Sequence, residues 1–489
     1  MENVGLSEKD IIEFRHKKLK KLESLGLPAF PSKSHRDHLS LQVLADQEKL
    51  IASEEVVTVA GRLMAVRGHG KLIFADIVDE KGKIQVVFKV DILGEAIEIV
   101  SCFDVGDFVE VAGKVFITKA GETTVEAKSA RMISKALRPL PELWKGITDE
   151  ESRYRKRYLD LALSPELREM FAKKAKFWQA TRNFLIGKGF LEVETPALET
   201  TAGGADASPF VTHHDALDID VYLRISMGEL WQKRLMVGGF EKTFEIGRQF
   251  RNEGISREHL QDYTQMEFYW AYANYEDSMR LVEEMYKYIA REAFGTLKFK
   301  IGQFEVDLDK QWPKIDYVTT IKDEIGIDVL SASDDELKKK LMNLKVKFNV
   351  NDKRGRLIDT LWKQIRKTIA GPVFLINHPV EVSPLAKRKS DDPRLVERYQ
   401  VILAGSEMGN GYSELNDPID QAERFREQAK MREDGDLEAQ MHDYDFVEAL
   451  EHGMPPTSGF GFSERLFSFL ADKSAREAVM FPLLRPEKQ

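Results

Sequence analysis

Between residues 56 and 134 the chain breaks into short β-rich runs: VVTVAGRLMAV, KLIFADIVD, KIQVVFKV, DFVEVAGKVFIT and TTVEAKSARMIS. Gly61, Gly68, Gly70, Gly82, Gly106, Gly113 and Gly121 punctuate them. Glycine-bounded runs of this length predict about five antiparallel strands joined by tight turns, with one helical crossing near residues 91–102. A chain of 489 residues is too long for one core, so this β-rich block is one domain of two or three.

Five strands with a helix between the third and the fourth is the order expected of an oligonucleotide-binding (OB) barrel, although any small β-barrel would share the pattern. Arg67, Phe74, Gln85 and Glu122, expected to be exposed on it, would offer unpaired bases one stacking ring and several hydrogen-bonding groups. Ahead of the block, SEKDIIEFRHKKLKKLESLG (7–26) reads as a helix with a serine N-cap and a glycine stop. Its cluster of Arg15, Lys17, Lys18, Lys20 and Lys21 reads first as a solvated face and second as a phosphate contact. After the block, a polar link carries proline, and from about 165 onward helical patterns (165–188, 276–294, 418–433, 463–472) alternate with strands without a regular βαβ rhythm. That favours an α+β domain on an antiparallel sheet. The division is therefore 1–50 helical extension, 51–138 barrel, 139–164 linker and 165–489 second domain.

Composition narrows the setting. A single cysteine, Cys102, excludes an internal disulfide and a cysteine-based zinc cluster and points to a reducing cytoplasm. With no basic-then-apolar leader and no apolar run of about 18 residues, neither export nor membrane insertion is expected. A formal net charge of -9 argues against nonspecific coating of nucleic acid.

Residues 250–272, FRNEGISREHLQDYTQMEFYWAY, place many charged groups between two strand-like stretches. On a solvated hairpin these charges are harmless, whereas buried ones need a partner or a ligand. Strand alternation would put Arg251 with Glu253, and Glu267 with Tyr269, on one face. That face carries a cation and two carboxylates, a set complementary to the phosphates of ATP and to the two ends of a free amino acid.

Phe250-Arg251-Asn252-Glu253, a loop and the following strand resemble motif 2 of the class II aminoacyl-tRNA synthetases. GFLEVETPALETTAGGADASPFVTHHDALDIDVYLRIS, with Pro196, is similar to motif 1 and the segment after it. FLINHPVEVSPLAKRKSDDP, SEMGNGYSELNDPIDQAERF and GMPPTSGFGFSERL resemble the later catalytic segments and motif 3 of the bacterial lysine-specific members, as does the link LRPLPELWKGITDEESRYRKRYLDL. The resemblance runs from about residue 5 to the end of the chain.

It implies a homodimer with an anticodon-binding OB barrel and an antiparallel catalytic sheet, joining lysine to tRNA(Lys) at the expense of ATP with Mg²⁺. Arg251 and Arg465 would be catalytic. Arg251, Glu253, His259, Tyr263, Glu407 and Arg465 would contact ATP, with Tyr263 stacking on adenine. Glu229 and Glu414 would pair the ε-ammonium of lysine, Glu267 its α-ammonium, and Tyr269, Asn410 and Tyr412 would complete the wall, with Gly204 admitting the backbone to the α-amino group. Arg67, Phe74, Gln85 and Glu122 would read the anticodon.

Four departures stand out against the family pattern. Gln400 replaces a metal-binding carboxylate opposite Glu407, which leaves it a weak metal ligand; Glu258 precedes His259 where a basic residue is usual; motif 3 is one residue shorter; and Ser208 replaces an arginine. An aspartate- or asparagine-specific sister enzyme would need a cation where Glu229 and Glu414 stand. A ligase that lysylates a protein would lack the barrel. A nucleic-acid-binding protein with an inactive second domain would show no lysine-dependent adenylate chemistry.

Overall fold

The computed structural model describes residues 7–141, 147–254, 256–350, 352–435 and 439–487, so the ELWKG part of the predicted linker, residues 142–146, lies outside the described residues. The chain divides into two compact units, Met1–Arg153 and Tyr154–Gln489.

In the first unit β1 (Val56–His69), β2 (Leu72–Val78), β3 (Lys83–Lys89), β4 (Phe108–Ile117) and β5 (Thr123–Ser134) close into a barrel in the order β1-β2-β3-β5-β4. β3 and β5 are parallel; every other pair is antiparallel. Short helical turns between Val90 and Ser101 occupy the predicted crossing. Val57, Val59, Ile84, Val86, Val109, Val111 and Val125 fill the interior, as the period-2 pattern of β-branched residues requires. Helices Ser40–Ala45 and Gln47–Ser53 lead into β1, so helical structure runs slightly past the expected boundary at residue 50.

The helix Glu8–Ser24 starts with a capping box between Ser7 and Asp10. Its basic cluster is not uniformly solvated. Arg15 is buried and donates to the carbonyls of Val105, Ala136 and Arg138. Lys18 pairs with Asp104 at 2.7 Å, and Lys21 donates to Ser101 Oγ. The reason is geometric: a helix that rests on a barrel must turn one face toward it, and here that face carries the long cationic side chains.

The second unit is built on eight strands. These are β6 (Leu191–Glu192), β10 (Lys242–Phe250), β11 (Asp262–Ala271), β14 (Lys314–Asp316), β15 (Val373–Pro379), β16 (Leu395–Leu403), β17 (Ser406–Ser413) and β18 (Thr457–Ser463). Their spatial order is β14-β15-β16-β17-β18-β11-β10-β6. The six central strands are antiparallel, and only the edge pairs β14/β15 and β6/β10 are parallel. A three-stranded sheet of β7 (Leu198–Glu199), β8 (Val211–His214) and β9 (Ile219–Leu223), and the hairpin β12 (Lys298–Ile301) with β13 (Phe304–Asp307), complete the strands. The stretch read as linker holds helices Glu150–Arg155 and Arg157–Leu163.

Alternation divides the labour of the large sheet. On β11 Met266 and Phe268, and on β18 Phe460 and Phe462, enter a core shared with the helices Pro165–Gly187 and Tyr275–Phe294. Gln265, Glu267 and Tyr269, with Gly459 and Gly461 paired opposite the latter two, therefore project from the other face.

Candidate active site and nucleic-acid-binding face

That other face floors a cavity of about 630 Å³. All the residues that the resemblance assigns to amino-acid and ATP contact line it, namely Gly204, Glu229, Arg251, Glu253, His259, Tyr263, Glu267, Tyr269, Glu407, Asn410, Tyr412, Glu414 and Arg465, and so does the weak metal candidate Gln400.

At one end the polar groups are carboxylates. Glu267 accepts from Tyr269 Oη at 3.1 Å, from the Met227 backbone N–H at 3.1 Å and from Gln265. Glu229 opens the helix Glu229–Val237, whose N-terminus favours negative charge, and accepts from Tyr412 Oη. Glu414 lies just beyond β17; its Oε1 is buried and takes no hydrogen bond from the described residues. Burial raises both Glu267 and Glu414, to about 7 and about 8, and Glu229 adds to the push in each case.

Close packing explains the glycines. A Cβ on Gly459 would lie 2.3 Å from Glu414 Oε1 and 2.7 Å from the Tyr269 ring, and one on Gly461 would lie 2.7 Å from Glu267 Cγ. Gly204 has φ +85° and donates its N–H to Gln440 Oε1; a Cβ there would meet Ser226 Oγ at 2.4 Å. Asn410 accepts from Arg398 Nε at 2.8 Å, and Arg398 is tied in turn to Ser383 Oγ.

At the other end the polar groups are cations. Arg251 donates to the Ile225 carbonyl, and its guanidinium stands 5.8 Å from the centre of the Tyr263 ring. Arg465 donates to the Glu407 carbonyl and lies 3.7 Å from Glu258. His259 Nδ1 is 2.7 Å from Ser256 Oγ; burial and then Arg465 lower its basicity, so it is neutral at pH 7. The shorter motif 3 introduces no bulge, since β11 and β18 stay in register from Ala271/Thr457 to Gln265/Ser463.

Two parts of the sequence reading need correction. β10 ends at Phe250, so Arg251 and Glu253 belong to the loop, and strand alternation is not what brings them together. Gln400 is also not directly opposite Glu407: Glu407 pairs with Ile402, and beyond a bulge between Val401 and Ile402 Gln400 pairs with Asn410.

The residues there do not fit a protein-held metal. Gln400 Nε2 donates to Glu407 Oε2 at 3.0 Å, and Arg366 Nη1 holds Glu407 Oε1 at 2.6 Å. Burial would raise the Glu407 carboxyl, but Arg366 and Arg465 outweigh it and hold it below its usual range. Among the described residues no group of three or more His, Cys, Asp or Glu side chains is placed to hold a metal ion.

Four side chains of the site escaped the sequence reading: Lys233, Arg366, Arg398 and Gln440. Lys233 alone left a signal, its spacing of four from Glu229 on a helix.

On the barrel, cross-strand register puts Arg67, Phe74 and Gln85 on one face, and Glu122, just ahead of β5, joins them through a hydrogen bond from Gln85. Arg67 pairs with Phe74, Asp76 with Gln85, and Gln85 with Thr124. The expected exposure of Gln85 is corrected: it is 6 % exposed, its amide oxygen accepting from Thr124 Oγ1 and its amide nitrogen donating to Glu122. A mid-strand position flanked by two polar neighbours leaves it little contact with solvent.

Comparison with known proteins agrees with both units. Residues 149–485 match the family described as tRNA synthetases class II (D, K and N), and residues 57–133 match the OB-fold nucleic acid binding domain. The lysine–tRNA ligase of Thermotoga maritima is 44% identical over 490 residues, 98% of this chain and 97% of that one. The enzyme of the same name from Thermoanaerobacter pseudethanolicus is 45% identical over 487 residues, covering 98% and 96%. That from Carboxydothermus hydrogenoformans is 43% identical over 491 residues, covering 99% and 100%.

Proposed function

The chain belongs to the class II tRNA synthetases (D, K and N), and from that premise we propose that it activates L-lysine with ATP and transfers it to the 3′ end of tRNA(Lys). The observation that carries the choice of lysine is the burial of three carboxylates, Glu229, Glu267 and Glu414, around one end of the cavity. A substrate with two ammonium groups satisfies such an end; a substrate with an acidic side chain would be repelled by it.

The lysine carboxylate attacks the α-phosphorus of ATP. A new O–P bond forms, the bond to the bridging oxygen breaks, and pyrophosphate leaves. A terminal ribose hydroxyl of the tRNA then attacks the activated carbonyl and AMP departs. Both substrates bring their reactive atoms, so the protein supplies alignment and charge. Arg251 and Arg465 are the cations for the α-carboxylate and the phosphates, Tyr263 a ring for adenine, and Glu253 an acceptor for its amino group. Glu407 is held by Arg366 and Gln400 and does not serve as a metal ligand, so Mg²⁺ would enter with the phosphates of ATP and supply charge neutralisation there.

On the barrel, Arg67, Phe74, Gln85 and Glu122 form the anticodon-reading face of this proposal, stacking and edge contacts being the means by which unpaired RNA is read. A two-fold dimer and a cytoplasmic setting complete it. No helix among the described residues is long and apolar enough to cross a membrane.

The test is amino-acid-dependent exchange of labelled pyrophosphate into ATP, with each of the twenty amino acids and no tRNA. Exchange with lysine alone is expected. Silence with every amino acid would overturn the reading and leave the barrel as the place to seek function.

A further inference from the structure

Behind the carboxylates that line this end of the cavity lies a cation. Lys233 is 0 % exposed, and its Nζ lies 2.9 Å from Glu229 Oε1 and 2.5 Å from Glu414 Oε2. Tyr412 and Phe446 flank it, with ring centres at 5.5 and 5.8 Å. The other titratable groups at this end are Glu267 and Tyr269 on β11, Tyr412 on β17, and Arg234, the next residue of its own helix, which pairs with Asp443 at the N-cap of the helix Tyr444–Glu451. Burial opposes the charge of Lys233, but Glu229 and Glu414 outweigh it and keep the amine protonated.

Two carboxylates, Glu229 and Glu414, thus share one ammonium, and Glu267 adds a third carboxylate to the same end, which leaves that end two positive charges short when all three are ionised. A 2,6-diamino acid carries two ammonium groups, and its one carboxylate falls to Arg251. Glu414 Oε1, buried and without a hydrogen bond from the described residues, points to where one of those ammonium groups belongs.

We propose that Lys233 is a positioning and specificity-determining residue, a built-in ammonium that neutralises one of the three carboxylates and leaves a deficit that a diamino acid fills. The inference rests on the lysine reading given under Proposed function. An amino acid with an uncharged side chain leaves one carboxylate unpaired in a buried site, so it is rejected by charge before it is rejected by shape.

A linkage follows. Burial and neighbouring carboxylates lift Glu414 to about 8 and Glu267 to about 7, so without lysine protons balance the excess negative charge. Bound lysine favours the ionised forms. Lysine binding therefore releases protons, and its affinity falls as pH drops through those values, each uncompensated proton weakening it by about tenfold per pH unit.

The experiment measures the KM for lysine in pyrophosphate exchange from pH 6 to 9, with wild type and Lys233→Met. In the variant the KM for lysine is expected to rise about tenfold or more at pH 7.5, and its pH profile to move up by about one unit, with the KM for ATP unchanged. An unshifted profile with the wild-type KM overturns the role. Should Lys233→Met not fold, the wild-type protein carries the test by calorimetry in buffers of different ionisation heat. Lysine should release about one proton or more at pH 7, and the ε-hydroxyl analogue of lysine fewer. Absence of proton release with lysine overturns the two-charge deficit. Failure of wild-type exchange with lysine would instead refute the lysine reading, so the two failures are distinct.

Discussion

Gln400 shows how one atom type redirects a site. His378 is buried beside Arg398, both of which keep its ring neutral, and its Nε2 is 3.2 Å from Gln400 Oε1. With an ionised carboxylate on the other side, the amide has one consistent orientation: its oxygen accepts from His378 and its NH₂ faces Glu407. The amide oxygen is thus turned away from Glu407, whose negative charge is balanced by Arg366. Replacing the amide by a second carboxylate, Gln400→Glu, removes the donor and doubles the charge. A Mn²⁺ titration followed by electron paramagnetic resonance should then show divalent binding at least about tenfold tighter than in the parent protein, since hard cations follow the charge of their oxygen ligands. Equal titrations for the two proteins would show that the amide orientation has no bearing on metal affinity. That a departure existed at 400 was legible in the sequence; its consequence was not, because His378 and Arg366 lie 22 and 34 residues away and meet Gln400 and Glu407 only through the sheet.

At the level of elements, legibility followed regularity. β11 alternates strictly, so Glu267 and Tyr269 could be placed on one face from period two alone, whereas the glycines opposite them follow from the register with β18. Arg251 and Glu253 fell one to three residues past the end of β10, where that period no longer holds. Lys233 was hidden for the opposite reason: the helix Glu229–Val237 has nine residues, too few for its buried face to stand out, though the four-residue spacing from Glu229 was there to be read. The first helix teaches the same lesson. Its cations read as solvated because charge runs on helices usually are, yet Arg15 uses two of its guanidinium nitrogens to bind three carbonyls of the barrel unit. Arg15→Met leaves those carbonyls without a donor and should destabilise that unit by about 2–4 kcal/mol. Urea unfolding of the full chain should show the transition of the barrel unit moving to lower denaturant, with lysine-dependent exchange before that transition intact. A wild-type midpoint would mean that water replaces the guanidinium at no cost.

For the molecule as a whole, a net charge of -9 means that RNA cannot be held by a general positive field. Local cations on the barrel face are themselves engaged: Arg67 with Asp76 at 2.9 Å, Lys83 with Asp76 and Glu122, Lys89 with Glu126. Each of these pairs must be weakened before its cation meets a phosphate, so the face is better suited to reading bases than to gripping backbone. Phe74 is the one aromatic ring in the predicted set, and register puts it directly opposite Arg67. Stacking of a base on such a ring contributes about 1–3 kcal/mol, which corresponds to about 5- to 150-fold. Phe74→Ala should therefore lower kcat/KM for tRNA charging by a factor in that range and leave tRNA-independent pyrophosphate exchange unchanged, because the barrel and the lysine pocket belong to different units of the chain. Equal losses in both assays would mean that the ring acts through the stability of the fold; no loss in either would move RNA recognition to another face of the barrel.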